Sequence, residues 1–107
     1  MLMPREKLEG LDTGFVEILI RIAARLPFAL VINEAVPPNK EGSHVKDSEH
    51  FEGVGVDVSA TNGYTRFVIV QTALSEGIKR IGVYDKHIHL GGSSSLPSPV
   101  MWPGKSK

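Results

Sequence analysis

Residues 54–59 read Val-Gly-Val-Asp-Val-Ser, a strict alternation of apolar with small or polar side chains. Successive side chains of a strand leave opposite faces, so Val54, Val56 and Val58 point one way and Asp57 the other. Such a strand needs a core on one side only. A chain of 107 residues has room for one modest core and not for two. A single domain over residues 1–107 is therefore expected, with residues 1–11 as a loose lead-in and 92–107 as a loose tail rich in Gly, Ser and Pro.

The remaining segments supply what would cover the valine face. Phe15, Val16, Leu19, Ile22, Ala23 and Leu26 recur at helical spacing behind Asp12 and Thr13, both good N-caps, and Pro27 stops the run. The pattern predicts a helix over about 13–25. Phe28–Ile32 reads as a buried strand, and residues 35–49, with Pro37, Pro38 and Gly42, as a long surface loop. Thr61, Asn62 and Gly63 open a second helix with Tyr64, Phe67, Val68 and Leu74 as its buried stripe, closed at Gly77. Residues 80–84 and 86–90 read as two short strands. The fold class expected is α+β, a small, mostly antiparallel sheet backed by two or more helices.

Composition removes several functions. Twelve basic residues balance twelve acidic ones, so the Lys/Arg surplus that a nucleic-acid binder needs is absent and no nucleic-acid partner is expected. There is no cysteine, so a metal site must use His, Asp and Glu. The longest apolar stretch, Phe15–Ala24, is broken by Glu17 and Arg21, so no membrane insertion is expected. The first residues lack the charged-then-apolar order of a signal peptide, and synthesis in the cytoplasm is expected.

His87 and His89 stand two apart, so in a strand they share a face, while Ile88 and Leu90 take the other. If this strand neighbours the one carrying Asp57, Asp57 and His89 converge. His50, seven residues before Asp57 across the turn at Gly53, can return beside it. Two imidazoles and a carboxylate form a usual catalytic zinc set that leaves a position for water. The same residues on an open strand face also suit a plain solvated polar pair, and spacing alone leaves both readings open.

The segment Ser48-Glu49-His50-Phe51-Glu52-Gly53-Val54-Gly55-Val56-Asp57 resembles the S-x-H-x-x-G-x-A-x-D motif of the zinc D-alanyl-D-alanine carboxypeptidase and dipeptidase family, which shares its fold with the zinc domain of hedgehog proteins. The likeness runs from about residue 13 to 102 and includes His87-Ile88-His89, Arg80–Tyr84 and Val100-Met101-Trp102. It implies Zn²⁺ held by His50, Asp57 and His89. It implies Asp85, four residues before His89, as general base, His87 beside the metal for the oxyanion, and Ser48 near the substrate. The chain departs from the pattern at three places. Gly55 stands for the motif's Ala, Gly91 stands where many compact relatives are acidic, and Glu34–Pro38 lacks an Arg that relatives carry, with Lys40 the nearest cation.

The function implied is hydrolysis of a peptide bond in bacterial peptidoglycan, of the D-Ala-D-Ala carboxypeptidase or L-Ala-D-Glu endopeptidase type. The partner would be a wall stem peptide, and the enzyme a monomer acting at the cell wall, in phage lysis or wall remodelling. The alternative is a non-catalytic, metal-stabilised binding or virion structural module of the same fold.

Overall fold

The computed structural model describes residues 1–35 and 49–106. They form a small α+β domain with one six-stranded mixed sheet and three helices. In chain order these are β1 (Leu2–Met3), α1 (Thr13–Arg25), β2 (Leu30–Glu34), α2 (Glu49–Glu52), β3 (Gly55–Ser59), α3 (Gly63–Ser75), β4 (Arg80–Val83), β5 (His87–Gly91) and β6 (Val100–Pro103). The sheet order is β1-β2-β3-β5-β4-β6. The three inner pairings are antiparallel and the two outer ones parallel.

Both long helices start as their sequences dictate. The Asp12 carboxylate accepts the Phe15 backbone N–H at 3.0 Å, and the Asn62 side chain accepts that of Thr65 at 2.9 Å. Phe15, Leu19, Ile22 and Ala23 form one buried face of α1. That face and Ile69 and Ala73 of α3 join Leu30, Ile32, Val56, Val58, Ile81, Ile88 and Leu90 in a single core. The core thus lies on one face of the sheet, with α1 and α3, as the valine alternation requires.

Three expectations shift. The first residues are tied in: Leu2 and Met3 pair with Leu30 and Val31, and Arg5–Leu8 form a 3-10 turn. The tail adds β6, with Trp102 opposite Gly82. On α3 the buried face is Ile69, Thr72 and Ala73, while Tyr64, Phe67 and Leu74 are exposed. Apolar residues lie at many angles around this helix, and the position of the sheet, not their number, selects the buried ones. No helix among the described residues is long and apolar enough to cross a membrane.

One turn links the core to the opposite face. Gly53 ends α2 with φ of +76°, and its carbonyl accepts the Asp12 N–H at 2.8 Å. A Cβ there would stand 2.7 Å from the Gly10 carbonyl oxygen. Gly53→Ala is expected to destabilise the protein by about 1–3 kcal/mol, from the strained backbone and the displaced loop. Denaturant unfolding of the variant beside wild type measures this, and an unchanged midpoint would contradict it.

Candidate metal centre

The sheet face opposite the core is built from rows of residues in register. Asp57 of β3 faces His89 of β5, which faces Gly82 of β4, which faces Trp102 of β6. One row away, Gly55 faces Gly91, which faces Arg80. On the other side, Ser59 faces His87. The β3–β5 pairing inferred only conditionally from alternation is therefore present, and it sets Asp57 beside His89.

His50 arrives from α2, whose short turn folds it over β3. Its Nδ1 lies 2.9 Å from the Ala35 carbonyl oxygen. A carbonyl only accepts, so Nδ1 carries a hydrogen and Nε2 is the nitrogen turned inward, toward Asp57. That Nε2 is 3.4 Å from Oδ1 of Asp57, and Nδ1 of His89 is 3.0 Å from the same oxygen. A lone pair facing a carboxylate at this range repels it unless a proton or a metal cation lies between them.

The donor set fits a metal. The three ligand atoms lie within 4.8 Å of one another, so the buried His50–Asp57–His89 group could hold an ion. Tetrahedral bonds of zinc length place donor atoms about 3.3 Å apart, and the distances from Asp57 Oδ1 match. His50 also has the carbonyl partner on its second nitrogen that ligating histidines generally show.

Behind His89 stands a residue that motif reasoning passed over. Glu49 is buried, with one carboxylate oxygen 2.8 Å from Nε2 of His89. The other oxygen accepts the Ser93 backbone N–H at 2.9 Å and lies 3.0 Å from Nε of Arg80. The Arg80 N–H is not aimed at it, so this contact is an ion pair without a hydrogen bond. The sequence signal was the carboxylate next to His50. Its partner is 40 residues away, and only the strand register brings them together.

The protonation states follow. Burial alone would lower the His89 pKa, but hydrogen bonds to Asp57 and Glu49 outweigh it and raise it to about 9. Burial alone would raise the Asp57 carboxyl, but hydrogen bonds from His50 and His89 hold it far below the usual range. Glu49 is likewise lowered against its burial, by His89, Ser93 and Arg80.

The remaining candidates are placed differently. His87 lies at the rim of the group, its Nε2 4.0 Å from Oδ2 of Asp57. Its Nδ1 is 2.8 Å from the Ser106 hydroxyl, and its ring stacks on Tyr84 at 4.2 Å. Asp85 is in the β4–β5 turn, and its carboxylate accepts the Ser106 backbone N–H at 2.6 Å. The backbone and side chain of Ser106 lower its pKa. Trp102 stands on this face, half-buried, its ring centroid 5.7 Å from that of His89. A Cβ at Gly82 would meet the indole at 2.6 Å, so the glycine makes room for it. Ser48, with His44, Asp47 and Lys40, lies outside the described residues.

No protein-family model matches the chain, and no curated protein is significantly similar to it.

The pKa shifts fix how the metal-free protein responds to pH. His89 titrates higher folded than its ordinary 6.5, so its stabilising contribution is complete below about 6.5 and is lost as pH rises through about 9. Asp57 and Glu49 titrate lower than their ordinary 3.8 and 4.5, so theirs is complete above those values and is lost as pH falls through the depressed ones. Thermal melts in chelator are expected to show greatest stability between about pH 4.5 and 6.5. A cation bound by the group would take the place of the His89 proton, so a metal ion that binds there should extend the plateau upward. A metal-free optimum above pH 8 would contradict the assignment.

Proposed function

We propose that this chain is a zinc-dependent peptidase of the hedgehog/D-Ala-D-Ala peptidase fold that hydrolyses a peptide bond in bacterial peptidoglycan. The observation that carries the reading is the His50–Asp57–His89 group, assembled from three segments on the open face of the sheet with nitrogens of both imidazoles turned to one carboxylate oxygen. Its residues are those that the motif likeness names. The donor set of two imidazoles and one carboxylate, without sulfur, suits zinc in a site with a free position.

When bound there, zinc would polarise a scissile carbonyl and bring the acidity of a bound water near neutral pH. The protein's own contribution begins with His50, oriented by Ala35, and Asp57, which supplies the negative charge. His87 is the imidazole next to the group. Its Nδ1 is engaged by Ser106, leaving Nε2 on the Asp57 side to donate to an oxyanion. Asp85 is the carboxylate proposed to accept the water's proton, and it must leave Ser106 to do so. A stem peptide with a free carboxylate or acidic side chain would be the substrate. The site of action would be the cell wall, with the protein acting as a monomer.

A second reading has its own observation. The Asp85 carboxylate is engaged by Ser106 and its pKa is lowered, opposite to a base tuned toward neutral pH. This favours a metal-stabilised binding module of the same fold.

Metal analysis and digestion of purified peptidoglycan separate the two. Wild type should carry one zinc, and His50→Ala, Asp57→Ala and His89→Ala should lose it. Mass spectrometry of the muropeptides should name the bond cut. His87→Ala should keep zinc and lose about 10²–10³-fold in hydrolysis, the usual loss for one oxyanion donor. Asp85→Ala should lose about 10²–10⁴-fold if it is the base. Loaded wild type without activity on any wall preparation would establish the binding module instead.

A further inference from the structure

Glu49 is a charged residue in a closed place, and the fold makes an unusual provision for it. It is 3% exposed. A Cβ at Gly55 would fall 2.7 Å from the Glu49 Cβ, and a Cβ at Gly91 would collide with both of its carboxylate oxygens. Gly55 and Gly91 are directly paired across β3 and β5, so two bare positions of neighbouring strands form the floor on which the side chain lies. Three groups then meet its oxygens: the His89 ring, the Ser93 N–H and Arg80. A buried carboxylate is costly unless it is matched in this way. Replacing it with an apolar residue would remove that cost, and the fold retains it.

The His89 ring lies between two carboxylates, Nδ1 toward Asp57 and Nε2 toward Glu49. Both carboxylates only accept, so without a metal the ring donates from both nitrogens; a cation held with Asp57 would displace the Nδ1 proton, while Glu49 keeps the hydrogen on Nε2. We propose that Glu49, seated on the Gly55–Gly91 pair, is the positioning residue that selects Nδ1 of His89 as the ligand atom and raises its basicity toward the metal. This rests on the metal reading above and specifies how its third ligand is set. Arg80 and Ser93 fix the carboxylate, so the chain that orients His89 runs through β4 and the segment after β5. Glu49 never touches substrate or metal.

The test uses the full chain, zinc alone, and competition with a chromophoric chelator. Glu49→Gln keeps the side chain's size and removes its charge. Its zinc Kd should rise about 10–100-fold, the usual loss when the outer partner of a ligating histidine is changed. Long-range ¹H–¹⁵N spectra supply a readout that simple packing would not move. In zinc-loaded wild type the His89 Nε2–H proton should resonate far downfield and exchange slowly, and in Glu49→Gln it should move upfield. Gly91→Ala retains the carboxylate but pushes it aside, and it should weaken zinc in the same way. It also serves if Glu49→Gln does not fold. Zinc affinity within about twofold of wild type in both variants, with an unchanged His89 spectrum, overturns the proposal, because positioning partners of this kind shift affinity by far more. Wild type that binds no zinc overturns the metal reading and this proposal together. Wild type that binds zinc beside unaffected variants overturns this proposal alone.

Discussion

The antiparallel pairing of β3 with β5 is the contact on which the rest depends. Its register sets Val56 against Leu90 and Val58 against Ile88 on one face, and Asp57 against His89 on the other. A slip of β5 by one residue would send its side chains to the wrong side at once, turning His87 and His89 toward the core and Ile88 and Leu90 away from it. The hydrophobic requirement of the core therefore also fixes the geometry of the polar group. The site needs no separate device to hold its strands in place.

The polar face shows how few residues such a sheet must commit. His50 takes its orientation from a backbone carbonyl, His89 from a glutamate, and Asp57 from the imidazoles around it. Glycines at 55, 82 and 91 supply space for Glu49 and Trp102. Side chains at those positions would have to displace the groups that orient His89 or wall the site. The departure at Gly55 from the motif's alanine thus has a local physical reason: the Glu49 side chain lies where a methyl group would be.

Much of this was legible in the sequence because it depends on short-range periodicity. Alternation at 54–59 and 87–90 identified the faces of both strands. Capping residues and Pro27 placed α1, and Asn62 and Gly77 bracketed α3. What was not legible depends on long-range register. Nothing near Glu49 announces that Gly91, Ser93 and Arg80 will surround it. The edge strand β1 is two residues long and pairs only because β2 is already in place. The buried stripe of α3 was not legible either, because a helix apolar on several sides does not reveal which side the sheet will meet. Nor does the sequence place Trp102. The parallel pairing of β6 with β4 puts it on the face opposite the core.

Trp102 is the chain's only tryptophan, its ring tilted beside that of His89, beneath the Arg80 guanidinium and donating to the Tyr84 hydroxyl at 3.1 Å. Indole emission is sensitive to nearby charge and to quenching by a protonated imidazole. The protein thus contains a fluorophore at one address, beside the ring whose proton a cation would displace. Its indole emission is a local optical gauge of that ring, readable without a label.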